Sequence, residues 1–147
     1  GALGNAARPE ALEAILNAAK HPDRQRRLNA ARALRLYANA EARGRLIDLA
    51  GDKEASVANH AIGALATPTL APRDLEQLAM RVEAGRLNLG ASHQLVSKIS
   101  SVGKEGGAAA SRILRALLPK VRADQRLAAQ IERLLDKPFS VPPSKRT

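Results

Sequence analysis

Arg26-Arg27-Leu28-Asn29-Ala30-Ala31-Arg32-Ala33-Leu34 and Val57-Ala58-Asn59-His60-Ala61-Ile62-Gly63-Ala64-Leu65 lie 31 residues apart, and their register decides the fold. Both end in Ala-Leu, and Ala2-Leu3 stands a further 31 residues upstream. Flanking positions keep the same offset: Ile15-Leu16 and Ala19 fall on Leu46-Ile47 and Ala50. Another copy, Leu78-Ala79 with Val82, follows 32 residues on, the extra residue falling near Pro68 and Pro72. Self-similarity at such a period marks stacked units, each of which buries its apolar face only against a neighbour.

Within the unit the apolar residues recur at helical spacing. After Pro9, which suits a first helical turn, Leu12, Ile15, Leu16 and Ala19 follow i, i+3, i+4, i+7. His21-Pro22-Asp23 breaks this helix and starts a second, with acid at the positive end of the dipole. Ala30, Ala33, Leu34 and Tyr37 form its apolar arc. The pattern predicts helices over 9–20, 23–38, 40–50, 53–66, 73–84, 89–101, 106–119 and 123–136. Gly51-Asp52, Thr67-Pro68-Thr69, Gly103 to Gly107 and Pro119 to Arg122 supply the breakers between them.

Composition agrees. The 147 residues suffice for one domain, and 30 alanines with 21 leucines favour helix. Tyr37 and Phe139 are the only aromatics, so a sheet protein is excluded and the class is all-α. No apolar run is long enough to cross a bilayer, so no transmembrane segment is expected. With no cysteine, disulfides and thiolate sites are excluded and both cytoplasmic and exported settings fit.

Arg or Val followed by Ala-x-x-Ala-Leu, on the second helix of a pair, resembles HEAT-like helical repeats. The likeness covers about residues 1–66 well and 67–136 less closely. It implies a right-handed alpha-solenoid of about four HEAT-like hairpins spanning 1–136, and it implies no particular activity. Ala2-Leu3-Gly4-Asn5 has the phase of a second helix's end, so the first helix is expected to be truncated and the chain to be a fragment of a longer one. Residues 137–147, with Pro138, Pro142 and Pro143, read as a basic tail or linker. A narrower likeness, in Ala2-Leu3-Gly4-Asn5-Ala6, Pro9-Glu10, Arg32-Ala33-Leu34-Arg35 and Thr67-Pro68, is similar to the helical domain of vitellogenin-type large lipid-transfer proteins. That likeness would imply a helical arm of a secreted lipid carrier, and it would engage lipid only through additional domains.

Chemical motifs are few. Ser101-Val102-Gly103-Lys104 matches a Ser-x-x-Lys string, but neither Ser-Asp-Asn nor Lys-Thr-Gly accompanies it. Gly103 to Gly107 lacks the phosphate-loop spacing and reads as an inter-helix turn. His21, His60 and His93 fall in different units and form no His-Glu-x-x-His pair. No catalytic residue, metal site or cofactor is expected.

The bases are the informative set. Lys and Arg number 24 against 14 Asp and Glu, a formal charge of +10, with an isoelectric point near 11.0. On the helix from Asp23, Arg24, Arg27, Arg32 and Arg35 span about 140° away from the apolar arc. A later set, Arg112, Arg115, Arg122, Arg126 and Arg133, follows i+3, i+4 and i+7 spacings. The 17 arginines against 7 lysines suit bidentate contacts, though codon usage in a GC-rich bacterial genome gives the same bias. Either these form a solvated face, or they form a surface for phosphates or acidic protein segments. The expectation is a non-catalytic scaffold that binds a macromolecular partner through Arg24, Arg27, Arg32, Arg35, Arg112, Arg115, Arg126 and Arg133. An acidic protein surface is the expected partner. Nucleic acid held by its phosphates is the alternative, without base stacking since aromatics are lacking.

Overall fold

Asp23, Asn39 and Asp124 each stand in extended backbone just ahead of a helix. Their side chains accept hydrogen bonds from the amides of Arg26, Ala42 and Leu127 at 3.1, 2.9 and 3.1 Å. Each bond satisfies a donor that the helix itself leaves open. The computed structural model describes residues 9–67 and 69–136, and these form eight α-helices and no strand. They are α1 (Pro9–Ala18), α2 (Arg24–Leu34), α3 (Ala40–Leu49) and α4 (Ala55–Leu65), then α5 (Pro72–Glu83), α6 (Ser92–Val102), α7 (Gly107–Leu117) and α8 (Gln125–Leu135). The expected helix end at Ala2 to Asn5 and the tail from 137 lie outside the described residues.

The 31-residue offset holds in the backbone as well. α3 begins and ends 31 residues after α1, and α4 begins and ends 31 residues after α2. The repeated Ala-Leu step has a physical meaning. Leu34 and Leu65 are fully buried, while the alanine before each, about 100° round the helix, half-buried at Ala33 and buried at Ala64, borders an open groove.

Packing follows sequence order. α1 packs on α2, α3 on α4 and α7 on α8. The odd-numbered helices also pack in series, α1 on α3, α3 on α5 and α5 on α7, and the even-numbered ones do the same from α2 to α8. Between them runs one apolar cluster from Leu12 to Ile131, including Leu46, Ile62, Leu78, Ile99 and Leu117. Burying each such side chain is worth about 1.5–3 kcal/mol, far more than helix propensity supplies. No helix among the described residues is long and apolar enough to cross a membrane.

Several boundaries differ from expectation. The helix expected over 23–38 stops at Leu34, and Tyr37 is buried just beyond its end. The helix expected from residue 89 opens with a 3-10 turn, Leu89–Ala91, before α6 proper. Two more 3-10 turns, Gly103–Gly106 and Leu118–Lys120, flank α7.

The second half of the chain also departs from the 31-residue spacing, because α6 starts 37 residues after α4. Gly85, at φ +74°, ends α5 in the left-handed region, and the Arg86 amide bonds the Arg81 carbonyl at 2.8 Å. The loop then crosses the α3–α4 turn. The Asn88 amide donates to the Ala50 carbonyl at 3.1 Å and the Asn88 side chain to the Asp52 carbonyl at 2.6 Å. A Cβ on Gly51 would fall on the Arg86 carbonyl, so only glycine permits this crossing.

Candidate anion-binding face

Two guanidinium groups are spent inside the fold. Arg27 Nε and Nη2 donate to the two Asp52 carboxylate oxygens at 2.7 and 3.2 Å, while Nη1 donates to the His21 and Pro22 carbonyls at 2.9 and 2.8 Å. Arg27 is 6% exposed, so the expectation that it contacts a partner is corrected. It ties the α1–α2 turn to the α3–α4 turn. Arg43 does a similar job on the other row, donating to Asp74 at 2.7 Å and to the Leu65 carbonyl at 2.8 Å.

The remaining candidates are distributed as follows. Arg24 is exposed and reaches Ser56 Oγ at 3.5 Å. Arg32 and Arg35 are exposed and have no carboxylate within ion-pair distance among the described residues. Arg112 on α7 is engaged by Glu83 at 2.6 Å and Glu76 at 3.3 Å, both on α5. The hydrogen bond from Arg112 holds the Glu83 carboxyl below its usual range and raises the guanidinium correspondingly. Arg122 lies 3.6 Å from Glu132. Arg115 on α7 and Arg126 and Arg133 on α8 are exposed. The late arginines therefore sit on both rows, and the structure does not gather them into one stripe.

Arg32 and Arg35 instead border an open groove of ≈ 820 Å³. Its lining comes from three even-numbered helices and their ends: Asn29 and Ala33 from α2, Asn59, His60, Gly63 and Ala64 from α4, Thr67, and Gln94 from α6. The local sequence explains the opening. Gly63 occupies the position held by Arg32 one repeat earlier and, with Ala33 and Ala64, leaves a floor without bulk. A Cβ on Gly63 would meet the Gln94 amide nitrogen at 3.2 Å. No aspartate or glutamate lines the groove.

That local absence belongs to a wider asymmetry. The even-numbered helices carry seven Lys and Arg against one acid, Glu132. The odd-numbered helices carry six against seven. Between their caps α2, α4 and α6 carry no carboxylate, Asp23 and Glu54 standing at the N-caps of the first two.

Of the groove residues, Asn29, Asn59, Gly63 and Gln94 carried no signal in the sequence, since neutral amides and a lone glycine are common on helix surfaces. His60, which belongs to no metal-binding motif in the sequence, is part of the lining. At the far end of the even row, His93 Nε2 and Asp124 Oδ2 are 2.6 Å apart. The Leu127 amide bond, and then His93, hold the Asp124 carboxyl below its usual range. No cluster of three His, Cys, Asp or Glu able to hold a metal occurs among the described residues. No family model, curated protein or solved structure matches the chain.

Proposed function

We propose that this chain is a non-catalytic binding module, a right-handed alpha-solenoid of about four HEAT-like hairpins that captures an acidic macromolecular partner on its even-helix face. Serial packing of the odd and even helices and the shared offset of α1 to α4 support the repeat architecture. The binding role rests on one observation. Arg32 and Arg35 have no carboxylate partner among the described residues and stand at the rim of a groove whose three helices carry no carboxylate between their caps. Unpaired guanidinium groups are poised for bidentate contact with carboxylate or phosphate, and a field of one sign draws such groups in. Arg24, Arg126 and Arg133 extend the positive field along the same row.

The test is retention of the chain on immobilised poly-glutamate, with poly-lysine as control, for wild type and the Arg32→Glu/Arg35→Glu variant. Wild type is retained and the variant, still helical by circular dichroism, is not. Equal retention of both would sink the proposal. Displacement from poly-glutamate by duplex DNA of matched charge, with a steep salt dependence, would transfer the face to a nucleic-acid ligand.

A further inference from the structure

The hydrogen-bonding sense of the groove narrows the class of partner. Asn59 donates through Nδ2 to the carbonyls of Ala55 at 2.9 Å and Gly90 at 3.4 Å. Both partners are acceptors, so the orientation of the amide is fixed and its Oδ1 is left for an occupant. His60 Nδ1 lies 3.0 Å from the Ser56 carbonyl, which places the ring proton on Nδ1 and leaves Nε2 as an acceptor in the neutral ring. Thr67 Oγ1 spends its proton on the Gly63 carbonyl at 2.8 Å and keeps only lone pairs. Against these acceptors stand donors. Asn29 Oδ1 already accepts from Gln25 at 3.2 Å, leaving its Nδ2, and Gln94 makes no side-chain hydrogen bond among the described residues.

A phosphodiester backbone carries acceptors and no donor, so it would offer the Asn59 oxygen no partner. A polypeptide backbone offers both senses in alternation. The three helices that line the groove are spaced at about 8–10 Å per step. At about 3.3 Å per residue, an extended chain crosses them in about five or six residues.

We infer that the groove holds an extended acidic peptide, its backbone bonded by Asn29, Asn59 and Gln94 and its carboxylates by Arg32 and Arg35. This rests on the anion-binding role proposed above and adds the identity and conformation of the ligand. Gly63 is the position that admits the peptide, because a Cβ there already meets the Gln94 amide at 3.2 Å and a longer side chain would rise from the groove floor.

Fluorescence anisotropy with the full chain tests this at about 0.15 M salt, where long-range attraction between exposed charges is largely screened. The probes are a labelled alternating glutamate–alanine hexapeptide, the same peptide N-methylated along its backbone, and a six-nucleotide oligothymidylate. The expected result is that the hexapeptide binds and that N-methylation weakens it at least about tenfold. Gly63→Leu should do the same with helicity unchanged, and Gln94→Ala gives a second handle that leaves the helix floor untouched. If the methylated peptide or the oligothymidylate binds as tightly as the hexapeptide, and all are lost in Arg32→Glu/Arg35→Glu, the peptide inference fails while the anion-binding face stands. Indifference of hexapeptide binding to both Gly63→Leu and Gln94→Ala also overturns the inference. Binding insensitive to the charge reversal, or no binding of any probe, removes the face together with it.

Discussion

Arg27 and Asp52 meet at 2.7 Å with side chains only 7% and 8% exposed, and the same guanidinium holds the His21 and Pro22 carbonyls. One side chain thus fixes two inter-helix turns, 25 residues apart at its ends, into a single arrangement. Removing it leaves the buried Asp52 carboxylate with the Glu54 amide but no countercharge, and takes a donor from each of the two carbonyls. Arg27→Ala is expected to cost about 3–5 kcal/mol of unfolding free energy, the range for breaking a buried pair. Arg27→Lys should recover only part, since one ammonium cannot reproduce the planar fork. Chemical denaturation of the three proteins checks the order.

Arg112 gives the contrast. It bonds Glu83 and Glu76, yet all three side chains are more than one-third exposed. Water and salt compete for such pairs. Arg112→Ala should shift the unfolding midpoint far less than Arg27→Ala, and the small shift should shrink further in high salt. A shift equal to that of Arg27→Ala would contradict the assignment.

Two glycines should respond in opposite directions. Gly44 lies inside α3 with open space where a Cβ would go, so Gly44→Ala should stabilise by about 1 kcal/mol from helix propensity. Gly51→Ala would drive a methyl group into the Arg86 carbonyl and should destabilise, displacing the loop that Asn88 pins. Thermal melts of both variants against wild type decide this.

Asp124 should make stability fall in acid. Its folded pKa is depressed, first by the Leu127 amide and then by His93, so the unfolded chain binds its proton more readily. The stabilisation is complete above the ordinary carboxylate value of about 3.9 and is lost as pH drops through the lower folded value. Asp124→Asn keeps a good cap but cannot titrate. Its stability should therefore change less steeply than wild type across that acid window, measured by urea unfolding at stepped pH.

Much of the fold was legible. The Ala33-Leu34 and Ala64-Leu65 steps gave the helix register, and all eight helices occur within a few residues of their expected places. Arg27 was misplaced although the wheel contained the answer. It lies seven residues before Leu34, about 20° away on the helix, and so on the buried flank. The longer step from α4 to α6 was present in the expected helices at 53–66 and 89–101, but its cause was not legible, because the 84–91 segment is ordered by Gly51, Ala50 and Asp52 far away in sequence. The groove was hidden for a related reason. Arg32 and Arg35 could be picked out by charge, but Asn59 and Gln94 acquire meaning only when α2, α4 and α6 converge.

The lopsided distribution of acids between the two helix rows also acts before any contact forms. Between their caps the even helices form the more positive row, so an approaching polyanion pulls on that row first. The chain would swing its arginine side forward during diffusion, so that a larger share of collisions are productive and the association rate drops sharply as ions are added.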